Sequence, residues 1–190
     1  MLGTTSAAFG TIVMTDEADF VNAMMPGYYL EEFDGFTYGS YTELTLDLAQ
    51  GGWAYTISAE DQGGGGGLYS GDGNMSNNNA ADALRVDFTG DPVTAIGGFF
   101  FPGEINGFFQ AGPMRIELSD GTVYEYDSVS DTDFLGFVSE APITWMLIDA
   151  VGLDLPDWPT MDHFYVGTAV PAPSVVALLG LAGFARRRRR

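Results

Sequence analysis

Between Tyr28 and Gly167, turn residues such as Gly, Pro, Asn and Asp divide the sequence into short runs rich in aromatic and β-branched residues. Such runs are typical of β-strands. In several of them apolar and polar residues alternate, as at Leu44, Leu46 and Leu48, which turns one face of a strand toward a core. The runs predicted to be strands are 28–33, 41–48, 53–58, 83–88, 94–101, 114–119, 122–127, 134–139, 143–150 and 163–167. With no competing helical period, the sequence predicts an all-β fold, an antiparallel β-sandwich arranged like a jelly roll.

Three connecting segments carry further local signals. Thr15 and Asp16 precede acidic residues at the start of 15–24, which predicts a short capped helix at the N-terminal side of the domain. The Asp-Gly pair within 119–122 lies between two alternating runs and predicts a hairpin. Segment 59–82 is rich in Gly and Asn. It is predicted to be a long mobile loop with room for one short strand at Leu68 and Tyr69.

The charge of the chain excludes several classes of partner. The sequence has 26 acidic residues, seven arginines and no lysine. Five of the arginines stand at 186–190, so the remainder carries a net charge of −24, with only Arg85 and Arg115 to offset the acids. Such a body repels nucleic acid and anionic membrane surfaces, and we therefore expect no nucleic-acid partner.

Candidate catalytic residues are few. The chain has no cysteine and one histidine, which excludes thiol chemistry and multi-histidine zinc sites. His163 stands in a predicted strand, where a structural role is the simpler interpretation. Pairs of carboxylates such as a glycosidase requires occur by chance in so acidic a chain, so they carry no signal. We predict that the protein is not an enzyme.

Calcium is the one cofactor for which the sequence offers ligands, because Ca²⁺ prefers carboxylate, carbonyl and amide oxygens. Segment 72–83 has alternating oxygen side chains but an alanine where an EF-hand has its bidentate glutamate, so an EF-hand is excluded. In many jelly rolls the first and last strands lie side by side, which would bring 31–35 close to 155–164. The candidate calcium ligands are Glu32, Asp34, Asp157 and Asp162. Exposed acids that bind no metal are the alternative.

Exposed aromatic rings can bind sugars by stacking on their apolar faces. Four aromatic residues in or next to predicted strands are candidates for such contacts. They are Trp53, Tyr55, Trp145 and Trp158. Packing of these rings in the core is the alternative interpretation.

The C-terminal segment differs from the rest of the chain. Two prolines with one residue between them are followed by an apolar run over 175–185. As a helix, this run would span about 17 Å, which is short for a bilayer core of about 30 Å. The arginines that follow would stay on the cytoplasmic side of a membrane and hold the orientation of the segment. The motif residues are Val170, Pro171, Ala172, Pro173 and Ser174, and the arginines are Arg186, Arg187, Arg188, Arg189 and Arg190.

This order of Pro-x-Pro motif, apolar helix and arginine cluster resembles the PEP-CTERM sorting signal of bacterial exported proteins. Ala172 stands where the usual motif has Glu. The resemblance implies recognition at the inner membrane, cleavage by exosortase and delivery to the cell envelope or extracellular matrix, commonly in bacteria that make exopolysaccharide. Residues 28–167 also resemble the β-rich domain found before such tails, a likeness that implies no catalytic residues.

These observations predict three parts. Residues 1–13 are interpreted as the remnant of a signal peptide whose start lies upstream, 14–168 as the β-sandwich domain, and 169–190 as the sorting tail. The expected function is that of an exported, non-enzymatic adhesive or structural protein of the envelope or biofilm matrix. Its expected partners are an exosortase-type enzyme, the inner membrane and exopolysaccharide. The alternatives are a secreted carbohydrate-binding module that uses calcium, a polysaccharide hydrolase and a permanent C-terminal anchor.

Overall fold

The computed structural model describes residues 10–36, 39–40, 44–60, 66–71, 73–152 and 157–171. These contain one helix, α1 (Glu17–Asn22), and fourteen strands. The strands are β1 (Ile12–Met14), β2 (Tyr29–Glu31), β3 (Gly39–Ser40), β4 (Thr45–Gln50), β5 (Trp53–Glu60), β6 (Leu68–Gly71), β7 (Asn74–Asn77), β8 (Ala83–Phe88), β9 (Val93–Gly103), β10 (Gly112–Leu118), β11 (Val123–Ser128), β12 (Phe134–Ile143), β13 (Trp145–Ala150) and β14 (Trp158–Gly167). The predicted tail beyond Pro171 and residues 1–9 of the predicted signal-peptide remnant lie outside the described residues.

The strands form two antiparallel sheets. The large sheet has the order β1-β12-β9-β14-β7-β6-β3, and β2 pairs with β14 outside this path. The small sheet has the order β11-β10-β13-β8-β5-β4. Strand β14 is the centre of the large sheet, because β9 pairs with one of its edges and both β7 and β2 pair with the other.

The core lies between the two sheets and follows from the alternation in the sequence. In β10, Met114, Ile116 and Leu118 are fully buried, while the residues between them are partly exposed. Across the core, the ring centroids of Tyr55 in the small sheet and Phe164 in the large sheet lie 5.5 Å apart. Each fully buried side chain of this size stabilises the fold by about 1.5–3 kcal/mol. The prediction of an all-β sandwich is confirmed.

Helix α1 packs on the outer face of the large sheet. The Asp16 side chain caps its N-terminus by accepting a hydrogen bond of 2.9 Å from the Asp19 N–H. Phe20 is fully buried against β9 and β12, where Gly97 and Gly136 leave room for its ring. A Cβ atom at Gly136 would lie 2.4 Å from Phe20 Cδ2, so this close approach requires glycine. The predicted capped helix is confirmed.

Each of the ten predicted strands overlaps an observed one, and the hairpin over 119–122 joins β10 to β11 with Gly121 at φ +88°. The prediction of a loop over 59–82 is wrong for much of that segment. Strands β6 and β7 pair as a hairpin within it and join the large sheet. The physical reason is tertiary, because Leu68 and Met75 contribute to the core between the sheets.

Candidate functional site

The outer face of the large sheet has two parts. Helix α1 covers the first part, where Phe20 packs with Phe134 and Tyr165 in a second apolar cluster. We call the second part, over β14, β7 and β6, the open half. There the outward residues of β7 are Asn74 and Ser76, which are polar and buried. The two parts of one face therefore differ in chemistry.

A turn over 104–108, here named the crossing turn, stands over the open half. The Glu104 N–H donates to the Phe108 carbonyl and the Gly107 N–H donates to the Glu104 carbonyl, both at 2.8 Å. The Asn106 side-chain amide donates to the Glu104 carboxylate at 2.8 Å. Gly107 has φ +86°, a backbone conformation that favours glycine. The turn is thus folded by its own hydrogen bonds, while Ile105 and Phe108 remain largely exposed.

Two depressions lie beside the crossing turn, and Gly107 lines both of them. The first has a volume of about 270 Å³ and includes Asn74, Phe101, Phe109, Asp131, Thr132 and Asp162 in its lining. The second has a volume of about 220 Å³ and includes Tyr69, Ser76, Asn77, Asn78, Glu104 and Trp158. Both combine aromatic rings with amide, hydroxyl and carboxylate groups, the combination that small polar ligands require.

The floor of these depressions is polar and only partly satisfied. The Ser76 hydroxyl donates to the Pro159 carbonyl at 2.9 Å and accepts from the Thr160 hydroxyl at 3.2 Å. Asn74 is 8% exposed and Asn77 is 1% exposed, and the side-chain oxygen of each has no hydrogen-bond partner within the described part of the chain. A buried polar atom without a partner costs about 1–3 kcal/mol, so a water molecule or a ligand group that paired with either oxygen would be stabilising.

Three of the four candidate calcium ligands lie on one side of β14, namely Glu32, Asp34 and Asp162. The Glu32 carboxylate is 3.5 Å from His163 Nδ1. Burial raises the pKa of Asp162, and the negative charges of Asp34 and Glu32 raise it further. The hydrogen bond from the His163 backbone N–H and the His163 ring act in the opposite direction and lower it. Among the described residues, no group of three or more His, Asp or Glu side chains has the arrangement of a metal site.

Asp157, the fourth candidate, is separate from these acids. It precedes β14 by one position, so the extended strand puts it about 16 Å from Asp162, at about 3.3 Å per residue. Its carboxylate accepts a hydrogen bond from the Gln110 amide. Burial raises the pKa of Asp157, and this hydrogen bond opposes the rise. The structure therefore does not bring Asp157 together with the other three.

The four aromatic candidates are dispersed. Tyr55 is 1% exposed and packs in the core, so the prediction that its ring contacts a glycan is wrong. Trp53 is half-buried, and its indole N–H donates to the Gly27 carbonyl at 2.7 Å. Trp145 lies on the outer face of the small sheet, 4.9 Å below the Arg85 guanidinium. Trp158 lines the second depression, and its contact with a glycan stays a prediction.

His163 connects helix α1 to the large sheet. It stands at a bulge in β14 with φ +51°, a strained conformation for a residue other than glycine. Its Nε2 lies 2.9 Å from a Glu17 carboxylate oxygen and 3.0 Å from the Tyr165 hydroxyl. Its ring is stacked on Phe99 with the centroids 5.0 Å apart. This arrangement favours the structural role expected of the histidine.

Sequence reasoning did not identify Asn74, Phe101 and Phe109 as site residues. The available signal was the alternation of oxygen side chains around Asn74, but this pattern is typical of an EF-hand, which the sequence excludes. The two phenylalanines looked like core residues because they stand in or beside an apolar strand. Only the pairing of β7 with β14 and the fold of the crossing turn bring these three residues to one depression.

The tail motif begins at the surface of the domain. Val170 is 51% exposed, and its N–H donates to the Ala23 carbonyl at 2.8 Å. Ala172, Pro173, Ser174 and Arg186 to Arg190 lie outside the described residues. Among the helices that the structure describes, none has both the length and the apolar character needed to cross a bilayer. No protein-family model matches the sequence, and no curated protein matches it.

Proposed function

We propose that this chain is an exported, non-enzymatic protein of the cell envelope or biofilm matrix, delivered by a PEP-CTERM-type sorting tail over 169–190. The observation that carries the proposal is the order of the last segments: a final strand, a Pro-x-Pro motif, an apolar run and an arginine cluster. In this proposal 175–185 inserts as a sorting helix, the arginines hold its orientation, and an exosortase-type enzyme cleaves near Pro171.

The position of the motif relative to the domain supports the proposal. Strand β14 ends at Gly167, and Val170 and Pro171 are exposed three and four residues later. A processing enzyme can therefore reach the start of the motif without opening the sandwich. A jelly-roll-like connection of the strands is the finer form of the fold that we propose for the exported domain.

The downstream role that we propose is adhesion to polysaccharide. The open half supports it, because two polar depressions there contain aromatic rings and amide groups. Calcium bound near Glu32, Asp34 and Asp162 is a secondary part of the proposal. The secreted carbohydrate-binding module is the second candidate function, and the same depressions favour it.

The intact mass of the protein recovered from the envelope of its host tests the sorting proposal. We expect a mass that lacks the residues after about position 171. The double change Pro171→Ala and Pro173→Ala should leave the tail attached, whereas Pro26→Ala, an exposed proline outside the motif, should not. Recovery of unaltered protein that retains Arg186 to Arg190 would contradict processing and favour a permanent membrane anchor.

A further inference from the structure

We infer that the two depressions beside the crossing turn form one binding site for a neutral polysaccharide. The inference rests on the proposed adhesive role and assigns that role to one surface. The site spans the ends of β14 and β7, the crossing turn (104–108) and the loop over 129–133. Its ligand class is an uncharged sugar chain, recognised by aromatic stacking and by hydrogen bonds that sugar hydroxyl groups make with amide and carboxylate groups.

The lining of the first depression matches the two surfaces of a sugar ring. A pyranose offers apolar C–H groups on its faces and hydroxyl groups around its edge. The rings of Phe101 and Phe109 meet edge to face with their centroids 6.0 Å apart, with Phe101 buried beneath the depression, and the exposed ring of Phe108 provides apolar contact area. Asn74 and Asp162 provide amide and carboxylate oxygens that accept hydrogen bonds from hydroxyl groups.

Asn74 is the observation that points to a ligand rather than to a closed surface. The side chain is 92% buried, and its oxygen has no hydrogen-bond donor within the residues that the structure describes. An isolated buried oxygen is destabilising, so a water molecule or a ligand donor that reached Asn74 would be favourable. A hydroxyl donor in the first depression would satisfy it.

The second depression extends the site beyond one sugar residue. Trp158 and Asp162 are four positions apart on β14, which corresponds to about 13 Å of extended strand. Each lines a different depression, and Gly107 lines both. A Cβ atom at Gly107 would lie 3.3 Å from the Tyr69 ring, which lines the second depression, so glycine leaves room beside that ring. Trp158 can stack on one sugar ring while Asn74 and Asp162 contact another.

The charge of the lining selects the class of polysaccharide. Asp131, Asp162 and Glu104 contribute carboxylates, and among the described residues no arginine lines either depression. The two arginines of the described chain are Arg85 and Arg115, and both are in the small sheet with acidic partners. An anionic sugar chain would be repelled at this surface. The site therefore favours an uncharged chain.

Depletion of the full-length protein by insoluble polysaccharides tests the inference. The probes are neutral particles of glucan, galactan and mannan, with calcium alginate gel as the anionic comparison. We expect binding to at least one neutral probe and none to alginate above the level for a plain polystyrene bead. Trp158→Ala should lower the affinity about tenfold or more, since buried aromatic contacts dominate binding at such surfaces. Trp145→Ala, the matched change on the small sheet, should leave it unchanged.

A second pair of variants separates loss of binding from loss of folding. Phe108 is 65% exposed at the first depression, and Leu44 is 61% exposed before β4 in the small sheet. Both Phe108→Ser and Leu44→Ser should preserve the fold, as thermal unfolding would show. We expect Phe108→Ser to weaken binding severalfold and Leu44→Ser to leave it unchanged.

The outcomes distinguish the site from the role. If the protein binds a neutral polysaccharide and neither Trp158→Ala nor Phe108→Ser weakens binding, the site is wrong and the adhesive role stands. If it binds only alginate, the inferred ligand class is overturned. If it binds no probe, both the site and the adhesive role fail, while the mass of the envelope protein still decides the sorting proposal.

Discussion

The outer faces of the two sheets differ in how their side chains are paired or covered. On the small sheet, charged side chains pair with one another in contact with solvent. Arg85 Nε and Nη2 each donate a hydrogen bond of 2.9 Å to the Asp87 carboxylate, and Arg115 Nη2 donates one of 3.0 Å to the Glu117 carboxylate. On the large sheet, α1 buries half of the face and the open half leaves amide groups in depressions.

The two faces also differ in which of their polar side chains have hydrogen-bond partners. On the small sheet, Arg85 pairs with Asp87 and covers the ring of Trp145, whereas the buried Arg115 Nε has no hydrogen-bond partner among the described residues. The open half of the large sheet contains the buried side-chain oxygen of Asn74, which has no partner among the residues described. Such an acceptor would be stabilised by a water molecule or by a ligand hydroxyl group that reached it.

The largest effect is expected where α1 covers the large sheet. Phe20→Ala removes a fully buried ring that contacts Phe134 and Tyr165 at centroid distances of 5.3 and 6.0 Å. We expect the free energy of unfolding to fall by about 3–5 kcal/mol, measured by urea denaturation. Phe108→Ala, the same change at an exposed ring of the open half, should alter it by less than about 0.5 kcal/mol. Equal losses from the two changes would contradict the division of this face.

An intermediate effect is expected at the glycine beneath Phe20. Gly136→Ala would put a methyl group against that ring, and we expect a loss of about 1–3 kcal/mol from overpacking. Gly35 has no atom within 4 Å of the corresponding position, so Gly35→Ala is the matched control and should be close to neutral. Thermal unfolding of the two variants gives the comparison. An unchanged midpoint for Gly136→Ala would show that α1 does not lie tightly on the sheet.

A smaller effect is expected from the ion pairs of the small sheet. Arg85 and Asp87 are partly exposed, and a double-mutant cycle with Arg85→Gln and Asp87→Asn should give a coupling energy of about 0.2–1 kcal/mol. The coupling should decrease at high salt because solvent ions screen the pair. A coupling of several kcal/mol would mean that this face contributes to stability as much as α1 does.

The smallest effects are expected at two carboxylates with opposite pKa shifts. Burial raises the pKa of Asp162 above its usual 3.8, so ionisation of this group opposes folding once the pH exceeds that value. Asp162→Asn should therefore increase the thermal midpoint at pH 7 and change it little below a pH of about 3.8. If it lowers the midpoint at neutral pH, the carboxylate is stabilised by a partner such as bound calcium.

Asp120, in the hairpin of the small sheet, is the matched opposite case. Burial alone would raise the pKa of Asp120, but hydrogen bonds from Thr11 and Thr122 outweigh it and hold the pKa below the usual 3.8. The stability that it contributes is present above that value and is lost as the pH falls through the lowered pKa. Asp120→Asn should thus lower the midpoint at pH 7, the reverse of the change at Asp162. Equal signs for the two variants would contradict this interpretation.

Local patterns in the sequence were sufficient for much of the fold. Asp16 and the acids after it specify α1, and the alternation in β8 and β10 specifies which residues enter the core. The short strand predicted at Leu68 and Tyr69 lies in β6, but strand β7 and the pairing of both strands were missed because they depend on distant partners. Met75, for example, pairs with Ser70 of β6 and with Met161 of β14, and neither pairing can be read from Gly- and Asn-rich sequence.

The site was harder to predict than the fold for a related reason. The sequence indicates Trp158 as a candidate glycan contact and, separately, Asp162 as a candidate calcium ligand. Their relation to Asn74 and Phe109 depends on strand pairing across dozens of residues and on a turn that folds over the sheet. Tyr55 was misassigned because a tyrosine in an alternating strand has the same local pattern whether its ring faces solvent or the core.

The central position of β14 has a consequence for how this chain must be made. Strand β2 pairs with β14 through Leu30 and Tyr165, and β9 and β7 also pair with this last strand. Such high contact order slows folding, because the chain must close long loops before native contacts form. A ribosome must therefore release nearly the whole domain before the large sheet can close. In the export that we propose, this late closure would keep the chain unfolded for transport until its final strand has emerged.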